Sequence, residues 1–283
     1  MVAPIVLLAF VTQLVTPAPV DSGREMPLVC NPDGLLFVPV QVDGAAARLV
    51  LDTGSNITTL VTSFADRLGL PSAGTIASPS DRDPQVTARL RIGEYSLPPL
   101  AVAVVPTAKL AGVARGADGI LGSDVLRRLG PVRLDLERCR LSIGGSVDET
   151  GSRRVPLDWH EGRPVLRLDD GARMLLDSGA SHAVVFDDTA AGRRASWRFS
   201  SPEPVRVDRF DGVRLGHTGV LHAIELGSMR LDNVQAVRVK SWYDANDAAA
   251  PDGILPFTLF SHVVLDYARG FAVLTPRRAL PRT

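Results

Sequence analysis

Cysteine is scarce in this chain: 283 residues carry only Cys30 and Cys139. Two cysteines support one disulfide at most and exclude a Cys-x-x-Cys zinc or redox module. From sequence, a bridge and two separate buried thiols are equally good readings. Net charge is lacking too. The 31 basic residues balance 31 acidic ones, so no charge excess directs the chain toward nucleic acid or an anionic membrane. No Gly-x-Ser-x-Gly occurs, so the adjacent Ser181 and His182 make a poor serine hydrolase. Gly116, Gly119 and Gly122 recur at regular spacing, but without the lysine or βαβ frame of a phosphate loop. His217 and His222 have no metal-ligand spacing and read as solvated surface residues.

The segment from Val2 to Val15 is nearly all apolar and is followed by Thr16-Pro17-Ala18-Pro19. It is short for a membrane span and suits the apolar part of a secretory signal. Residues 1–20 are therefore expected to be a signal peptide cleaved near Ala18, with the protein secreted or periplasmic. No Lys or Arg precedes the run, so an uncleaved N-terminal anchor or a different start is the alternative.

The rest of the chain is rich in short Val, Leu and Ile runs separated by turn clusters, which reads as mainly β. Two short words stand out: Asp52-Thr53-Gly54-Ser55 after Leu49-Val50-Leu51, and Asp177-Ser178-Gly179-Ala180 after Met174-Leu175-Leu176. An aspartate driven into a sheet by an apolar run is costly unless something pairs with it. The surroundings repeat with the word. An Asp-Gly turn closes Val38 to Gly44, and a matching segment spans Val165 to Gly171. Apolar runs follow at Ile57 to Val61 and Ala183 to Phe186. A strand with an interior glycine is expected at Leu90 to Gly93, and again at Ile224 to Gly227. Asp118-Gly119-Ile120-Leu121 matches Asp252-Gly253-Ile254-Leu255, and 26 positions separate the two landmark glycines in both copies. Each copy closes with Val132 to Asp135 and Cys139 to Ile143, or with Val263 to Asp266 and Phe271 to Leu274. Short helices are expected at Ser63 to Leu68 and at Ser123 to Leu129, the latter capped by Ser123 or Asp124.

On these motifs the chain, from about Leu35 to Leu274, resembles the pepsin- and retropepsin-like aspartic proteases, with two retropepsin-like units in one polypeptide. The resemblance implies a mainly β, two-lobed fold with an internal pseudo-two-fold repeat and a few short helices. The expected lobes are residues 24–147 and 155–283, joined by a link at 148–154. It implies that Asp52 and Asp177 are catalytic and that Thr53, Gly54, Ser55, Ser178 and Gly179 support their loops. Gly119, Ile120, Leu121 and Gly122 would thread behind the first loop, and Gly253, Ile254 and Leu255 behind the second. Pro256 stands where the family carries glycine and suits a first helical position. A flap is expected within Ala73 to Gln85; one flap and two are equally good readings, the second falling near Asp208 to Gly219 with turns at Asp211-Gly212 and Gly216. Tyr95 is not placed to serve as a flap tyrosine.

Two carboxyls sharing one proton supply both the base and the acid that peptide hydrolysis needs. The expected function is an aspartic endopeptidase, monomeric and without metal or cofactor. It would act on an extended peptide or protein substrate in a cleft between the lobes. A non-catalytic peptide binder that kept the fold is the rival. Ser55 follows Gly54 where Ala180 follows Gly179, so a Ser55 hydroxyl donating to Asp52 would leave the shared proton on Asp177.

Overall fold

A computed structural model describes residues 24–77, 82–111, 114–145, 152–193, 199–209, 212–244 and 246–277. The expected signal segment and most of the expected link lie outside them. Strands dominate, arranged as one sheet per sequence repeat and a third shared by both.

The shared sheet has six strands, in the order Arg24–Pro27, Arg140–Ile143, Val132–Asp135, Phe260–Asp266, Phe271–Pro276 and Arg153–Pro156. Three come from each repeat, and they meet at the centre, where Val132 faces Leu265 and Leu134 faces Val263. Arg24–Pro27 and Arg153–Pro156 occupy matching edges, so each repeat begins with an equivalent strand. Arg153 and Arg154 are therefore sheet residues, which shortens the expected link. Apolar residues of both halves, among them Leu126, Val132, Leu134, Phe257, Phe260 and Leu265, belong to one buried cluster.

The first repeat's own sheet is built around Leu36–Val42, Ala45–Leu51, Gly119–Leu121 and Thr59–Val61. A tight turn joins the first two, with positive φ at Asp43 and Gly44, as the Asp-Gly pair requires. Gly119–Leu121 runs parallel to Ala45–Leu51 on one side and antiparallel to Thr59–Val61 on the other. The second repeat's sheet copies this arrangement. Gly253–Pro256 lies parallel to Arg173–Asp177 and antiparallel to Ala183–Phe186.

Two expectations need correcting. Gly93 and Gly227 are not inside strands. Both have positive φ and sit in the turns that end Leu90–Ile92 and Gly212–Leu226. Glycine is there because an L side chain is strained in that conformation. The helix after Gly122 spans only Ser123–Leu126, and its N-cap is Gly122 itself, without a side-chain cap. Ser123 and Asp124 direct their oxygens elsewhere. The helix Thr62–Leu68 matches expectation and ends in a left-handed cap at Gly69.

Cys30 and Cys139 form a disulfide, with Cα atoms 5.9 Å apart. The bond ties the strand Val29–Cys30, on the first repeat's sheet, to the turn before Arg140–Ile143 in the shared sheet.

Candidate active site

Asp52 follows the last residue of Ala45–Leu51, and its N–H donates to the Leu121 carbonyl at 3.0 Å. Asp177 ends Arg173–Asp177 and pairs with Pro256. Each carboxylate is thus delivered by an apolar strand and braced by the strand threaded beside it.

The two loops interlock reciprocally. The Thr53 N–H donates to the Ser178 hydroxyl and the Ser178 N–H to the Thr53 hydroxyl, both at 3.0 Å. Each hydroxyl then donates into the opposite repeat: Thr53 to the Leu176 carbonyl at 2.6 Å, and Ser178 to the Leu51 carbonyl at 2.9 Å. Thr53 and Ser178 are fully buried, so all four bonds form away from water.

The glycines make the carboxyls meet. A Cβ on Gly54 would stand 2.4 Å from an Asp177 oxygen, and one on Gly179 would stand 2.7 Å from the Asp52 carboxyl carbon. Each glycine packs over the other repeat's aspartate, where only a bare backbone fits. The carboxyls of Asp52 and Asp177 thus lie side by side, each seated on the other repeat's loop. Backbone N–H groups complete the set, with Ser55 donating to Asp52 Oδ1 at 3.0 Å and Gly179 to Asp177 Oδ1 at 2.7 Å.

Burial raises Asp52 well above the ordinary carboxylate range, and the adjacent Asp177 charge raises it further. Burial also raises Asp177, but the Gly179 and Gly54 N–H groups, the Asp52 side chain and the Arg163 charge pull it back. Both carboxyls are raised, so the pair as a unit holds a proton above the ordinary carboxylate range, and nothing in these shifts supports the expected bias toward Asp177. The premise for that bias also fails, because the Ser55 hydroxyl donates to the Ile57 carbonyl at 2.8 Å.

Behind the first loop runs a polar chain that sequence reading missed. Ser123 donates to the Thr53 carbonyl at 2.9 Å and lies 3.2 Å from the Tyr267 hydroxyl. Tyr267 stacks on Trp159, and burial pushes its phenol upward. The Gly122 N–H donates to the Thr58 hydroxyl at 3.0 Å, and Thr58 donates to Asp124 at 2.7 Å. In the second repeat Ala183 replaces Thr58 and Pro256 replaces Gly122. The acceptor and the N–H it would serve are both missing, so the proline leaves nothing unpaired. Pro256 does not open a helix as expected. It is the residue before the 3-10 turn Phe257–Leu259.

Gly119–Leu121 and Gly253–Leu255 form the threaded strands. A Cβ on Gly119 would stand 2.0 Å from the Thr59 carbonyl oxygen, and one on Gly253 would stand 2.2 Å from that of Val184. Ser123 N–H, next to Gly122, donates to the Ser55 carbonyl at 2.9 Å.

Both expected flap regions are antiparallel hairpins: Ser72–Ala77 with Arg82–Ala88, and Phe199–Arg209 with Gly212–Leu226. The tips at 78–81 and at 210 and 211 lie outside the described residues. Gly216 is not a turn residue. It lies within its strand, where a Cβ would stand 2.4 Å from the Arg238 carbonyl oxygen. Beyond the second tip, Leu215 is 83% exposed. Tyr95 donates to the Ile143 carbonyl, which ties it to the shared sheet. His217 and His222 are exposed and five positions apart on one strand, so they point to opposite faces. Among the described residues no helix is long and apolar enough to cross a membrane. A cavity of about 610 Å³ is lined by Asn31, Asp33, His182, Thr258 and Arg277 among others, and neither Asp52 nor Asp177 borders it.

The chain belongs to the aspartyl protease family, whose model matches it twice, over residues 38–125 and 165–257. Each match contains one Asp-[Thr/Ser]-Gly loop and the strand threaded behind it. A search of curated proteins finds no match to the chain.

Proposed function

We propose that the protein is an aspartic endopeptidase that hydrolyses peptide bonds with a water held between Asp52 and Asp177. The observation that carries this reading is the pair of buried carboxyls set against each other's glycine loops and clamped by Thr53 and Ser178. A binding protein gains nothing from two adjacent buried acids, which the fold must stabilise at a cost.

One proton serves the pair, because two like charges in contact resist joint ionisation. Asp177 takes a proton from the water, whose oxygen attacks the scissile carbonyl carbon. Asp52 gives its proton to the carbonyl oxygen, and a neutral gem-diol results. The proton now on Asp177 passes to the amide nitrogen while Asp52 takes one from a gem-diol hydroxyl, and the C–N bond breaks to give acid and amine with no covalent enzyme intermediate. An extended peptide would lie along the two hairpins and add strand-like hydrogen bonds to them. Both aspartates come from one chain, so a monomer suffices. The disulfide fits an oxidising compartment, which supports export.

The test is digestion of a peptide library from acidic to neutral pH, with and without a statine-type transition-state mimic. Cleavage that the mimic suppresses is the expected result. Peptides that bind but stay intact at every pH would establish the non-catalytic alternative instead.

A further inference from the structure

The two repeats differ beside their aspartates. Arg163–Arg167 pairs antiparallel with Arg173–Asp177, and Val165 faces Leu175. Continued by two residues, that register sets Arg163 opposite Asp177. In the first repeat Phe37 faces Val50, and the same step sets Leu35 opposite Asp52. One carboxyl thus has a guanidinium as its ladder neighbour, and the other has an isobutyl group.

Arg163 is held firmly. Its side chain is only 12% exposed. Nε donates to the His160 carbonyl at 3.2 Å, and Nη2 reaches His160 Nδ1 at 2.7 Å and the Glu161 carboxylate at 2.6 Å. Nη1 lies 3.5 Å from the Tyr243 hydroxyl, and the guanidinium carbon lies 5.5 Å from that ring's centre. A ring nitrogen that accepts from a guanidinium carries no proton. His160 therefore holds its proton on Nε2, which faces Asp247 at 2.7 Å. Asp247, His160 and Arg163 form a connected chain, and strand register sets its last member opposite Asp177, where Leu35 stands opposite Asp52.

We propose that Arg163 is a positioning residue that keeps Asp177 the ionised member of the pair, so that water is activated from the Asp177 side. This rests on the endopeptidase reading. The charges around it are few. Glu161 and His160 come from its own hairpin, while Tyr243 and Asp247 come from the segment after Met229–Val239. Arg173 acts on Asp247 from the neighbouring strand. Asp177 itself faces Asp52 and the Arg163 charge. Glu161 is mostly exposed, so solvent weakens its competition for the guanidinium.

The experiment compares kcat/KM against pH for wild type, Arg163→Leu and Arg163→Lys. Arg163→Leu gives Asp177 the neighbour that Asp52 already has. A lost cation makes each ionisation of the pair harder, so both limbs of the profile should move upward, by about 0.5–1 pH unit. On the acidic side that is roughly a 3- to 10-fold loss of kcat/KM at fixed pH. Arg163→Lys should return most of the shift, which a purely structural role would not require. If Arg163→Leu does not fold, Arg163→Gln takes its place. The carboxyl carbons of the pair, titrated by 13C NMR, give a readout independent of turnover. A lower pair pKa that is identical in wild type and the charge-removing variant would overturn the proposal. A wild type that cleaves nothing would overturn the endopeptidase reading instead, and the titration would still decide the role of Arg163.

Discussion

A buried carboxyl that keeps its proton costs a fold little, and one that loses it costs far more. Asp52 is raised by burial and by the Asp177 charge. Between the unfolded value of about 4 and the higher folded value, the native state holds more protons than the unfolded chain. Stability must then fall as pH rises through that window. Asp52→Asn removes the penalty, so it should be more stable than wild type at neutral pH, with the difference closing in acid. Urea unfolding at two pH values reads this directly, and a less stable mutant at neutral pH would contradict it. Ser55 shows the limit of reading one residue at a time. The Ser55/Ala180 difference was visible in sequence, but a hydroxyl's direction depends on which acceptor the turn brings nearest, and here that is the Ile57 carbonyl. Ser55→Ala should therefore leave the acidic limb of the pH–rate profile unmoved and cost about 1 kcal/mol of stability. A shifted limb would restore the direct contact with Asp52. Arg163 escaped notice for a related reason. Its position opposite Asp177 follows from strand register, and the loops joining the paired strands differ in length between repeats.

Among the elements, the threaded strands Gly119–Leu121 and Gly253–Pro256 determine the site most strongly. Their glycines admit no Cβ, because a carbonyl oxygen of the next strand occupies the space. Gly253→Ala should destabilise the protein by about 3 kcal/mol or more, as backbone must move to admit the methyl. Gly171→Ala, at positive φ in an open turn, meets no atom and should cost only about 1 kcal/mol. Chemical denaturation of the two mutants compares them, and equal losses would mean that the second threaded strand is not tightly packed. These strands were legible in sequence because the Asp-Gly-Ile-Leu word recurs with its spacing. So were the hairpins, from alternating apolar runs and turn residues. Glycines were harder to read. Gly93 and Gly227 make turns while Gly216 admits a neighbouring backbone, and a sequence window shows the same letter for both uses. The link between Ala183 and Pro256 was likewise hidden, since it shows only by comparison with the Thr58–Gly122 bond of the first repeat.

At the scale of the whole molecule, two repeats share a six-stranded sheet and face their aspartates toward each other. The disulfide closes a separation of 109 residues across the first repeat. A loop of that size restricts the unfolded chain enough to contribute about 3–5 kcal/mol. Urea unfolding with and without a thiol reductant should show a loss of that size on reduction, and unchanged stability would mean that the bond adds no constraint. The central claim is that the two carboxyls act as one catalytic unit, and it is tested most directly by kcat/KM for wild type, Asp52→Asn, Asp177→Asn and the double mutant on one cleavable peptide. Each single mutant should lose activity to the assay limit while remaining folded, and the double mutant should be no worse than either. Substantial hydrolysis surviving in a folded single mutant would contradict the claim.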